Sequence, residues 1–141
     1  MKTVEMDLTV GGLHFEAKLP RAETQKDAVE ARYLIAFERF VVEKLCKHAS
    51  PSPDGFKYLR TRTRLKSNEF AELIGVTPET VSRWEHEKND MPPLAWEVMV
   101  SIAEEKLQGR TETLDRLRER QKSRQNPPKL LKMPSVKELV A

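Results

Sequence analysis

The side chains with chemistry to offer are three histidines, one cysteine and two clusters of cations. His14, His48 and His86 fall in different parts of the chain, and no His-Glu-x-x-His, Gly-rich phosphate loop or nucleophile elbow occurs. Cys46 stands alone, so neither a disulfide framework nor a cysteine zinc site can form within one chain. It reads as a core filler rather than a nucleophile. The carboxylates lie in mixed-charge segments, where solvation or pairing four residues along a helix accounts for them. No catalytic residue, metal ligand or cofactor is therefore expected, and an enzyme is the class with least support.

The cations point elsewhere. Lys57, Arg60, Arg62, Arg64 and Lys66 form a run without an acid, and a second basic cluster extends from Arg116 to Arg124. A net charge of +3 over 141 residues says little, so the local clustering matters more. Such patches suit contact with phosphate, although a plain solvated face looks the same.

Between the clusters lies Ser67-Asn68-Glu69-Phe70-Ala71-Glu72-Leu73-Ile74-Gly75-Val76-Thr77-Pro78-Glu79-Thr80-Val81-Ser82-Arg83-Trp84-Glu85. Phe70, Ala71 and Ile74 give a first short helix an inward stripe. Gly75 stands where that helix must stop and turn, in the left-handed conformation that glycine adopts cheaply. Val76 fills the corner, Thr77 can cap a second helix, and Pro78 suits its first position, where no amide donor is needed. Val81 and Trp84 then point inward, leaving Pro78, Glu79, Ser82 and Arg83 on the outer side. Two short helices across a three-residue turn match the geometry in which the second helix enters the DNA major groove. From there Arg83 could reach guanine O6 and N7 in bidentate fashion. A helical hairpin that binds nothing is the bland alternative.

These residues need a frame. Val4, Met6, Leu8 and Val10 alternate with polar residues, as do Leu13, Phe15, Ala17 and Leu19, around Gly11-Gly12. That pattern predicts a β-hairpin with His14 facing outward. Asp27 to His48 has helical spacing, with Val29, Tyr33, Phe37, Phe40, Val41 and Leu45 on one stripe, suited to covering the hairpin or to a dimer contact. Ser50-Pro51-Ser52-Pro53-Asp54-Gly55 reads as a linker. Helices are then expected at 56–65, 67–74, 78–86 and 94–107, and a charged helix at 111–123. After Asn126-Pro127-Pro128 the tail has too few apolar residues for a core of its own and is expected to dock on another surface or stay solvated. The fold class is thus mainly α. A repressor-type helix-turn-helix domain at 56–109 follows a β-hairpin and helix unit at 1–49 and a linker at 50–55; a charged helix and tail occupy 110–141.

Over residues 56–107 the sequence resembles the Cro/repressor (XRE) helix-turn-helix family. The likeness is carried by Leu59-Arg60, Phe70-Ala71, Ile74-Gly75-Val76 and Ser82-Arg83-Trp84-Glu85. It implies base reading by Pro78, Glu79 and Arg83, phosphate contact by Ser67 and Thr77, and an internal ion pair between Arg60 and Glu85. Thr80, Ser82, His86 and Lys88 complete the expected DNA-facing set. Ser67 stands where the family usually has Gln, and Arg64 where it usually has Gly. The order hairpin, helix, linker and Ser-Arg-Trp-Glu domain is also similar to the MqsA/YgiT-type antitoxins, whose two Cys-x-x-Cys pairs are absent here.

The expected function is that of a sequence-specific transcriptional regulator, a repressor of its own or a neighbouring promoter. Its expected partners are an inverted-repeat duplex operator and a second copy of itself. The alternative is an antitoxin that neutralises a toxin protein. No apolar run suits a membrane, and the opening residues lack a secretory pattern, so a cytoplasmic, nucleoid-associated protein is expected.

Overall fold

A computed structural model describes residues 2–23, 28–86 and 91–140. Within them the chain is mainly helical, with a two-stranded antiparallel hairpin at its start. Strands β1 (Thr3–Val10) and β2 (Leu13–Pro20) pair from Thr3↔Pro20 to Val10↔Leu13. Gly11 and Gly12 supply φ of 60° and 76°, the positive values that a tight primed turn requires. Val10 and Phe15 are buried and the polar residues between apolar ones are exposed, as strand alternation dictates.

Helix α1 spans Ala31–His48, a later start than the spacing suggests. Asp27 lies outside the described residues. Ala28 to Glu30 are not helical, because Val29 bridges Arg21 and the Ala22 amide donates to the Ala28 carbonyl at 2.7 Å. Extended pairing thus competes with the first helical turn and wins. The buried stripe is Phe37, Val41, Val42 and Leu45. Phe40 is instead exposed, lying edge-on to Phe15 with ring centroids 6.1 Å apart. Phe37 and Val41 are buried within the monomer, so this part of the stripe covers the hairpin and core.

The expected linker is corrected as well. Helix α2 runs Pro53–Arg62, so Pro53, Asp54 and Gly55 form its first turn. Ser52 caps it by accepting from the Gly55 amide, and Pro53 occupies the first turn, where a missing donor costs nothing. The Gly11 amide donates to Asp54 Oδ2 at 3.1 Å, tying the hairpin turn to this helix.

Helices α3 (Ser67–Ile74), α4 (Pro78–His86) and α5 (Pro93–Leu107) follow, the first two with the bounds their caps predict. One apolar core runs from Val10 and Phe15 through α1 to Trp96 and Ile102 of α5. At its centre Phe56 packs edge-on to Phe70 and Trp84, with centroids 5.1 and 6.2 Å away. Helix α6 (Glu112–Gln125) is anchored on α3 and α5 by buried Leu114 and half-buried Leu117. The short α7 (Val136–Val140) buries nothing, and Leu130, Leu131, Met133, Val136, Leu139 and Val140 are all exposed. Among the described residues no helix is long and apolar enough to cross a membrane.

Candidate nucleic-acid interface

The α3–α4 corner is built by local chemistry. Gly75 takes φ 76°, and the Val76 amide then reaches back to the Ala71 carbonyl at 3.0 Å, closing the end of α3. Thr77 Oγ1 accepts from the Thr80 amide at 3.2 Å, which caps α4. Val81 and Trp84 are buried. Pro78, Glu79, Ser82, Arg83 and His86 are consequently exposed, while Thr80 is half-buried with its hydroxyl 2.8 Å from that of Thr77. His86 Nδ1 donates to the Ser82 carbonyl at 2.6 Å, folding the ring back on its own helix. Ser67 opens α3 and is half-buried; Lys88 lies outside the described residues.

Beneath α4 the expected ion pair is present. Arg60 donates through Nε to Glu85 Oε1 and through Nη2 to Oε2 at 3.2 Å, and its Nη1 reaches the Leu65 carbonyl at 2.8 Å. One guanidinium therefore joins α2, the α2–α3 turn and α4. The fork geometry is one that lysine could not reproduce.

Between α2 and α3 the chain turns through Arg64 at φ 60°, the sole non-glycine with positive φ among the described residues. The Leu65 amide bonds the Arg60 carbonyl at 3.2 Å, so Arg64 does the work usually given to glycine at a helix end. Lys106 of α5 donates to the Thr63 carbonyl in the same turn. Burial lowers the Lys106 pKa, with Arg118 adding to the effect, Glu69 opposing it and Arg64 contributing less.

Sequence reasoning missed Glu69 and Lys106 here, and it grouped Arg118 with the Arg116–Arg124 cluster without placing it at this turn. Glu69 Oε1 accepts from the Lys66 amide at 2.9 Å, the return half of a capping box. A carboxylate three residues into a helix was the available signal. Lys106 and Arg118 reach this turn from other helices, and nothing local announces them.

On the hairpin, cross-strand pairing of Asp7 with Glu16 brings both beside His14, whose Nε2 lies 2.5 Å from Asp7 Oδ1 and 3.8 Å from Glu16 Oε1. Sequence alone put His14 outward without these neighbours. The three groups are close enough to hold a metal ion, but all are exposed, and a surface hydrogen bond between His14 and Asp7 accounts for their approach. Burial, with Glu104 assisting, pushes the Cys46 thiol up to about 12, so it is protonated and unreactive at neutral pH.

No family model matches the chain, and neither a curated protein nor a solved structure shows significant similarity to it.

Proposed function

We propose that the chain is a sequence-specific regulator of transcription that lays α4 in the major groove of duplex DNA as a repressor-type helix-turn-helix. The observation that carries this reading is the polar outer side of α4, with Pro78, Glu79, Ser82 and Arg83 exposed on a helix pinned from beneath by Arg60 and Glu85. A rigid helix with an exposed polar side is what base reading needs, and cations of the α2–α3 turn suit phosphate. One such helix touches few base pairs, so the proposal includes a two-fold dimer on an inverted repeat, its recognition helices about 34–36 Å apart. Repression of its own or a neighbouring promoter follows from blocking that site.

Selection from a random duplex library tests this, followed by Arg83→Ala on the selected site. Enrichment of an inverted repeat is expected, with Arg83→Ala weakening that site by about 1–3 kcal/mol and random DNA far less. Failure to enrich any sequence overturns the reading.

A second reading, an antitoxin-like hold on a protein partner, is favoured by the six exposed apolar residues of the tail. Capture of a neighbouring gene's product that is lost on truncation after Asn126 would support it.

A further inference from the structure

Helix α6 lies outside the helix pair proposed to meet DNA, yet it leans on the first turn of α3. Arg118 Nη2 lies 3.9 Å from Glu69 Oε2, and the other oxygen of Glu69 holds the Lys66 amide. Lys106 bonds the Thr63 carbonyl, one residue before exposed Arg64. Arg118 of α6 and Lys106 of α5 therefore approach Glu69, beside a turn that carries Arg64 and Lys66, while Glu38 of α1 lies 3.8 Å from Arg62. Burial is the main cause that lowers the Lys106 pKa; Arg118 and Arg64 add to it and Glu69 opposes it.

We infer that Arg64, Lys66, Lys106 and Arg118 form a clamp for the phosphate backbone, through which α6 extends the duplex contact beyond α4. The inference rests on the DNA-binding reading above. In helix-turn-helix docking the first helix of the pair crosses the backbone, so cations at the start of α3 meet phosphates rather than base edges. Arg118 is half exposed and its contact with Glu69 is long, so exchanging that carboxylate for a phosphate costs the fold little. A guanidinium also makes stronger, two-pronged contacts with phosphate oxygens. Two acids of α6 are engaged elsewhere: Glu112 lies 3.4 Å from Arg110, and Asp115 accepts from the Thr111 hydroxyl.

The test is fluorescence anisotropy of the full-length protein on a short random-sequence duplex, across about 50 to about 200 mM salt. Each lost phosphate contact lowers the log–log salt slope by about 0.9, a change of roughly 3–4-fold in relative affinity over that range. Arg118→Gln should show this loss with an unchanged urea midpoint, Arg118→Lys should retain the slope, and Arg64→Gln with Arg118→Gln should lose about twice as much. Wild-type binding with an unchanged slope in Arg118→Gln overturns the clamp alone. Absence of any duplex binding by the wild type overturns the DNA reading and the clamp together.

Discussion

Arg60 and Glu85 face each other across the core of the helix pair, with 11% and 5% of their side chains exposed. Each has given up water for the other, so the pair is worth most when judged by what removing one member leaves behind. Glu85→Ala strands a buried guanidinium and should cost about 3–5 kcal/mol in urea unfolding. Replacing both with apolar residues of similar volume should cost far less. A Glu85→Ala midpoint equal to the wild type would show the pair to be solvated.

Arg64 carries a backbone conformation that penalises any residue with a Cβ. The left-handed well costs a chiral residue about 1–2 kcal/mol, while glycine surrenders about 0.5–1 kcal/mol of extra chain entropy on folding. Arg64→Gly should therefore stabilise the fold by about 0.5–1 kcal/mol. Arg64→Ala keeps the strain and removes only the guanidinium, so it should leave stability nearly unchanged. Equal melting shifts in the two variants would locate the effect in the side chain.

At Gly55 the hairpin, α2 and α5 meet. A Cβ there would stand 2.6 Å from Ser52 Oγ and 3.2 Å from Trp96 Cη2. Ser52 could rotate away only by giving up its cap on α2, worth about 1 kcal/mol. Trp96 is locked in the core, where overpacking costs about 1–3 kcal/mol. Against this, alanine gains about 0.5–1 kcal/mol as the better helix former. Gly55→Ala should destabilise by about 1–3.5 kcal/mol, in one transition seen equally by strand and helix probes. A stabilised variant, or two separate transitions, would mean the hairpin folds apart from the helices.

The same glycine shows where sequence reasoning ran out. The bounds of α3 and α4 were legible because Gly75, Thr77 and Pro78 act on their immediate neighbours. The hairpin was legible because alternation has a period of two and Gly11-Gly12 sets its turn. Ser52-Pro53-Asp54-Gly55 was misread because a glycine in a Pro- and Ser-rich stretch resembles a linker, although Ser52 as cap and Pro53 in the first turn are local signals of a helix start. Leu73 was likewise missed in the inward stripe, since α6, packed on α3, covers that side of the helix. Of the candidate site, the outer side of α4 and the Arg60–Glu85 pair could be read locally or by resemblance. Lys106, Arg118 and Glu69 converge only after the helices pack.

Glu105 holds the start of α6, and its charge state should set how firmly. Its carboxylate accepts from the Thr113 amide at 2.8 Å and the Thr113 hydroxyl at 2.6 Å, while Thr111 turns its own hydroxyl to Asp115 instead of capping the helix. The Thr113 hydroxyl bond is the main cause that holds the Glu105 pKa below 4.5; partial burial opposes it, and the Thr113 amide, Arg110 and Arg116 assist. A carboxyl with a depressed pKa in the folded state contributes stability that is fully present above its unfolded value and lost as pH falls through the folded one. The α6 anchor should therefore be complete at neutral pH and weaken from about pH 4.5 downward. Glu105→Gln keeps the shape but not the charge, and should cost about 0.5–2 kcal/mol at neutral pH, the range for a lost helix cap. Urea unfolding of both proteins at neutral and acidic pH checks this: their stabilities should converge in acid. A gap that stays constant with pH would assign the loss to packing and leave Glu105 no electrostatic part in holding α6.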